Sequence, residues 1–341
     1  YQCFSAFAGN TYLVDLAALV PFDLLDDDDL APLAALSADR TDYGAIYHLK
    51  PRLLESAYTR FKAQRPALPY GDFTAFCQKN ADWLDAYAYF RALKDHFNGL
   101  AWWEWPLEVR DFARANKSQL RARLADAIAA CQFGQYLFFG QWALIRAAAR
   151  ERGIEIIGDL PIFVAADSAD AWANPGLFEL DPKTFLPRAV AGVPPDYFSA
   201  DGQLWGNPLY HWPRHAEQGY AWWQARLRSA LRHADIVRID HFRALESYWE
   251  VSAAARTAVD GRWQAGPGQA FFTALEQGLA TAPGALPLIA EDLGTITPAV
   301  HALRRAAGLP GMRVLQFGFA ADAHDLNLPH QLLTHIEALD E

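Results

Sequence analysis

The chain has 341 residues and a formal net charge of −10, with 52% hydrophobic and 21% charged residues. That balance excludes a disordered chain, and the acidic excess argues against a nucleic-acid surface, which needs clustered Lys and Arg to meet phosphate. Cys3, Cys77 and Cys131 are odd in number and widely spaced, so neither a disulfide framework nor a CxxC metal site follows, and they are expected as apolar filler in a reducing compartment.

The sequence opens at Tyr1 without Met or a charged-then-apolar leader, which reads as a processed chain or a piece of a longer one. Residues 1–150 read as a mostly helical unit. The acidic stretch Asp26 to Asp29 is expected to be a solvated loop rather than a metal site. Apolar residues recur at helical spacing through Phe73, Phe76, Trp83, Leu84 and Tyr87, and again through Leu120, Leu124, Ile128 and Cys131. The longest uncharged run, Ala127 to Ile145, contains Gln132, Gln135 and Gln141. Amides of that kind are costly in lipid, so a buried helix is expected there and no membrane span.

From residue 154 the pattern changes to short apolar strands alternating with helices. Strands are predicted over Ile154–Ala165, Ala234–Phe242, Leu286–Gly294 and Met312–Phe319, with helices near 222–233 and 268–280. A further helix is signalled by Thr297 as N-cap, Pro298 in its first turn and Gly308 just past its end. Continuous apolar strands alternating with helices mark a parallel sheet covered on both faces, either an open doubly wound sheet or a (β/α)8 barrel. Residues 151–341 are therefore read as a barrel-type core. Within it, the Pro/Gly/aromatic stretch 166–212 reads as a long loop without regular structure that covers the site.

Three of these strands end in a carboxylate: Asp159, Asp240 and Glu291. The C-terminal edge of a parallel sheet is where active sites assemble. N-capping of the following helices is the competing explanation. Arg238, two residues before Asp240, projects to the same side of its strand. Its guanidinium is expected to keep Asp240 ionised by lowering its pKa, as a nucleophile requires, unless the two form only a structural ion pair. Desolvation is expected to raise Glu291 into proton-donor range. A carboxylate nucleophile and a protonated carboxyl roughly 5 Å apart are the equipment of a retaining glycosidase. His241 is expected to face away from Asp240 in a structural role, and His324–Asp325 to lie in a surface turn. No GxSxG elbow, phosphate-binding glycine loop or HExxH motif occurs. Aromatic residues reach 13%; flat rings fill cores and also stack on sugar faces.

The segments VRIDHFR (Val237–Arg243), IAEDLG (Ile289–Gly294), GDLPIFVAADSADAWANP (Gly158–Pro175) and GVPPDYFSADGQLWGNPLY (Gly192–Tyr210) resemble the amylomaltases. These are the 4-α-glucanotransferases of glycoside hydrolase family 77. YQCFSAFAGN (Tyr1–Asn10) and LPGMRVLQFGF (Leu309–Phe319) are also similar. The resemblance implies a (β/α)8 TIM-type barrel with inserted helical subdomains and a double-displacement transfer of α-1,4-glucan segments. Set against that family, the chain is expected to lack the first and last barrel strands and a third catalytic carboxylate in a THDN-type segment. Carried over by motif, Asp240 is the nucleophile, Glu291 the general acid/base, and Arg238 orients Asp240. Asp159 would belong to the sugar pocket and Tyr1 would stack on the sugar at the cleaved bond. Asp196, Tyr197, Phe198, Trp205 and Asn207 would lie on the covering loop. The implied partners are α-1,4-glucan donors and acceptors, with no cofactor, metal, nucleic acid or membrane, in the cytoplasm or, behind a transit peptide, a plastid. An α-glucan hydrolase of the same clan and a non-catalytic glucan-binding relic are the alternatives.

Overall fold

The computed structural model describes residues 3–196, 199–294 and 296–314. The N-terminal part is helical, as its periodicity predicts. Its longest helices span Tyr43–Gln64, Ala81–His96 and Ala125–Glu151. The predicted helical runs are each interrupted once. Asn80 separates Phe73–Lys79 from Ala81–His96, and Leu124 separates Gln119–Arg123 from the helix that follows. The uncharged run sits inside Ala125–Glu151, and no helix among the described residues is long and apolar enough to cross a membrane.

The acidic stretch corrects its reading. Asp26 caps the helix Asp27–Ala34 by accepting from the Asp29 amide, while Asp29 accepts from the Asp26 amide in return. Three Asp in that first turn meet the positive end of the helix dipole. Arg60 lies over the same pair, 2.8 Å from Asp29.

Among the described residues seven strands follow: β1 (Ile157–Leu160), β2 (Ala189–Val193), β3 (Gln203–Pro208), β4 (Ile236–Ile239), β5 (Ser247–Ser252), β6 (Gly261–Ala265) and β7 (Leu288–Ala290). Strands β1, β4 and β7 are parallel, in the order β1-β4-β7, and place Asp159 beside Arg238 and Arg238 beside Ile289. They are the cores of the first three predicted strands, shorter than the apolar runs that signalled them. Helices Ala221–His233 and Gln269–Leu279 connect them as expected. Gly158 permits the close approach of β1, since a Cβ there would fall 2.8 Å from that of Ala234. Beyond β7, helix Pro298–Ala306 carries the Thr297 cap, and Gly308 follows at φ +67°. Of the fourth predicted strand, residues 312–314 are not in a strand and 315–319 lie outside the described residues.

Strands β2, β3, β5 and β6 form a separate antiparallel sheet, in the order β3-β2-β5-β6. Residues 166–212 are thus not a structureless loop. They hold helix Ala169–Ala173 and two strands of this sheet. Local patterning hid it because β2 finds its neighbour β5 far along the chain, Ala189 pairing with Ser252.

One apolar core runs from Leu84, Phe90 and Trp102 through Trp172 to Val237 and Leu288, joining the helical part to the parallel strands. A second, built on Leu19, Phe61 and Phe133, lies among the N-terminal helices.

Candidate active site

The C-terminal ends of the parallel strands open into a cavity of about 610 Å3, lined by Arg238, Asp240, His241 and Glu291 among others. Backbone bonds carry the ladder past the strand ends and fix both carboxylate residues. The Asp240 amide donates to Leu160 O at 3.0 Å, the Glu291 amide to Ile239 O at 3.0 Å, and the Phe242 amide to Glu291 O at 3.1 Å.

Arg238 binds two carboxylates at once. One terminal nitrogen donates to Asp240 Oδ1 at 2.8 Å and the other to Asp159 Oδ1, while Nε donates to Met312 Sδ at 3.2 Å. A planar fork with separate donors suits this bridging role. Asp159 joins the site through its ion pair with Arg238.

Burial raises the Asp240 pKa, Arg238 opposes that rise, and the Asp159 charge adds to it. Arg238 lowers it as expected, but the net direction is upward, because the desolvation penalty exceeds the attraction of the guanidinium. Glu291 is also raised, first by burial and further by Asp240, against the lowering effect of the Leu293 and His241 amides. That agrees with the sequence reading of Glu291.

His241 departs from its expected orientation. Strand β4 ends at Ile239, and His241 takes a left-handed backbone at φ 52°, so its ring lines the cavity. The ring meets Trp205 edge-on at 4.8 Å between centroids. Burial lowers its pKa to about 3, so the imidazole stands neutral at physiological pH.

Asp196, Trp205 and Asn207 also line the cavity. Asp196 accepts from the Ser199 amide at 2.8 Å. Asn207 donates to Val164 O at 2.8 Å, tying β3 to the segment after β1. Trp205 donates its indole N–H to Gln203 at 3.0 Å. Tyr1, Tyr197, Phe198, His324 and Asp325 lie outside the described residues. Sequence reasoning missed Arg243 and Trp263, which also line the cavity. Trp263 sits on a strand that local pattern did not reveal, and the VRIDHFR motif offered the only signal for Arg243. Among the described residues, no group of three or more His, Cys, Asp or Glu side chains is placed to hold a metal ion.

Residues 1–337 match the family described as 4-alpha-glucanotransferase. The chain belongs to that family. It is 45% identical to the 4-alpha-glucanotransferase of Thermus thermophilus over 335 residues, covering 98% of this chain and 65% of the relative. It is also 45% identical to that of Streptococcus pneumoniae over 332 residues, covering 97% and 64%. The chain thus spans just under two thirds of the length of these relatives. Amylomaltase from Streptococcus agalactiae, solved in complex with acarbose, superposes with a TM-score of 0.84 at 37% identity, covering 97% of this chain and 66% of the other. Amylomaltase from Corynebacterium glutamicum shares the fold at a TM-score of 0.70. The fold is therefore the TIM-barrel type of the family.

Proposed function

We propose that the protein is a 4-α-glucanotransferase that moves α-1,4-glucan segments between maltooligosaccharides or starch chains with retention of configuration. The observation that carries this reading is the pair of desolvated carboxyls on adjacent strand ends, with Arg238 bonded to the first of them, Asp240. Asp240, with a guanidinium at Oδ1, is the group kept ionised in the working enzyme, and Glu291 is the one kept protonated.

In the first displacement an Asp240 oxygen forms a bond to the anomeric carbon as the glycosidic C–O bond breaks. Glu291 gives its proton to the departing 4-oxygen. In the second, the 4-hydroxyl of an acceptor glucan attacks the same carbon, Glu291 takes its proton, and the Asp240 ester breaks. Protons and charges balance across the two steps without a cofactor. Arg238 holds Asp240 in position by bridging it to Asp159. Transfer prevails over hydrolysis when the acceptor displaces water, and we assign that task to Trp205 with Tyr197 and Phe198. In this reading residues 1–150 form a helical subdomain, 151–341 the barrel portion, and 166–212 the substrate-covering segment. A cytoplasmic location, or a plastid one, suits glucan substrates and unpaired cysteines.

The test is incubation of the protein with maltotriose, following glucose and longer oligosaccharides by chromatography. A product ladder that vanishes in Asp240→Asn supports the reading. Glucose and maltose without longer products would make it a hydrolase, and maltotriose binding without turnover would make it a glucan-binding relic.

A further inference from the structure

We propose that Trp263 is a stacking platform for a glucosyl ring of the bound glucan, at a unit removed from the bond being cut, and that Arg243 locks it in place. The proposal rests on the glucanotransferase reading and adds a recognition element to it.

Trp263 is 42% exposed, unusual for so large an apolar side chain in this molecule, and it borders the same cavity as Asp240 and Glu291. Its exposure is not looseness. The Arg243 guanidinium carbon lies 3.9 Å from the indole centroid, a close cation–π contact. On the neighbouring strand, the cross-strand partner Trp249 packs edge-on at 5.1 Å. Trp249 is in turn fixed by its indole N–H donating to Ala258 O at 2.8 Å. Gly261 makes room for this packing, since a Cβ there would fall 2.3 Å from Trp249 Nε1.

Arg243 is itself only 6% exposed and belongs to the short turn Phe242–Leu245, three residues after Asp240. The backbone segment that carries the nucleophile candidate therefore also carries the prop under Trp263. A rigid, partly hydrated indole plane held at a fixed place relative to the reacting carboxylate is what sugar-face recognition needs, because little conformational entropy is lost on binding.

The sheet sets where that ring can act. Leu204, Gly192, Trp249 and Trp263 form one row across β3, β2, β5 and β6. Three strand spacings, about 14 Å, separate the two ends of that row. Trp205, next to Leu204, and Trp263 thus stand at opposite ends of that row, which assigns Trp263 to a different unit of the chain.

The experiment compares maltotriose with maltoheptaose in Trp263→Ala and Trp263→Phe. In Trp263→Ala the KM for maltoheptaose should rise about tenfold, with kcat within about twofold and maltotriose little affected. Trp263→Phe, which keeps a flat face, should recover most of the loss. Equal effects on both substrates, or no effect on either, would overturn the platform. Calorimetry with maltoheptaose on Asp240→Asn, with and without Trp263→Ala, separates the two levels of argument. Binding that is unchanged by Trp263→Ala sinks the platform alone, whereas no binding by Asp240→Asn sinks the glucan reading with it.

Discussion

The backbone amide of His241 donates a 2.8 Å hydrogen bond to Oε2 of Glu291. The residue that follows one carboxylate thus holds the other, and the left-handed backbone at His241 accompanies that bond. Oε1 is held in turn by the Leu293 amide at 3.0 Å. These two donors favour ionised Glu291, yet burial outweighs them and leaves its pKa raised. Glu291 is therefore held at both oxygens while its pKa stays raised.

The pH dependence follows from the two directions. In the proposed mechanism transfer needs Asp240 ionised, so the rate should rise as pH passes an Asp240 pKa lying above the ordinary 3.8. It needs Glu291 protonated to start, so the rate should fall as pH passes a Glu291 pKa lying above the ordinary 4.5. A bell-shaped kcat/KM profile is expected. In Glu291→Gln, transfer from maltotriose should drop by about 10²- to 10⁴-fold. Glycosylation by a maltosyl fluoride, whose leaving group needs no proton, should be largely retained and lose the alkaline limb. An unaltered alkaline limb in that variant would assign the acid role elsewhere.

Arg238 offers a test with the opposite sign. Its charge is the main force holding the Asp240 pKa down against burial and the Asp159 charge. Arg238→Gln removes that force, so the acid limb of the pH–rate profile should move to higher pH while the alkaline limb moves less. Turnover should fall on the order of 100-fold, because Asp240 also loses its positioning bond. A uniform loss at every pH, with the limbs unmoved, would restrict Arg238 to packing.

How much of this was legible depended on the range of the interaction. An apolar run closing on an acid is a local signal, and it located Asp159, Asp240 and Glu291 and the strands that end near them. The antiparallel sheet was not legible, because Ala189 and Ser252 pair across a long stretch of chain and β2 alone carries only five residues. Trp263 was hidden with it. The orientation of His241 is not legible for another reason: strand alternation ends with β4 at Ile239, and the backbone turns left-handed at His241. The lowering of the Asp240 pKa by Arg238 is legible, whereas its net rise is not, because a neighbouring Arg can be seen in sequence while the degree of desolvation cannot. Asp26 to Asp29 read as a charge run although its Asp-x-x-Asp spacing fits a reciprocal cap.

Asp170 provides a stability test away from the reacting groups. It is 5% exposed, its Oδ2 accepts from the Ala6 amide at 2.7 Å, and burial raises its pKa to about 6. A carboxyl whose folded pKa is raised favours the folded state most when protonated. Its contribution is complete below the ordinary 3.8 and is lost as pH rises to about 6. Asp170→Asn keeps an oxygen for Ala6 and removes the titration. Between pH 4 and pH 7.5 the stability difference between variant and parent should shift in favour of the variant, on the order of 2 kcal/mol. Denaturant unfolding at the two pH values measures it, and a pH-independent difference would contradict the buried charge.

Asp292 makes the last prediction, because it links the fold to Arg238. Its carboxylate is fully buried, accepts from the Met312 amide at 2.8 Å and lies 3.1 Å from Arg304 Nε. The chain wraps this group so closely that a Cβ on Gly311 would fall 2.6 Å from Oδ2. Met312, fixed at its amide by Asp292, presents its sulfur to Arg238 Nε. Asp292→Ala strands the partly buried Arg304 and the Met312 amide together, and removal of one partner from a buried pair costs about 3–5 kcal/mol. Asp292→Asn keeps an acceptor for Met312 and should cost less. If the Met312 contact helps to orient Arg238, both variants, assayed well below their melting temperatures, should lower kcat more than they raise KM, Asp292→Ala the more so. Loss of stability with kcat intact would confine Asp292 to holding helix Pro298–Ala306 against the segment that follows it.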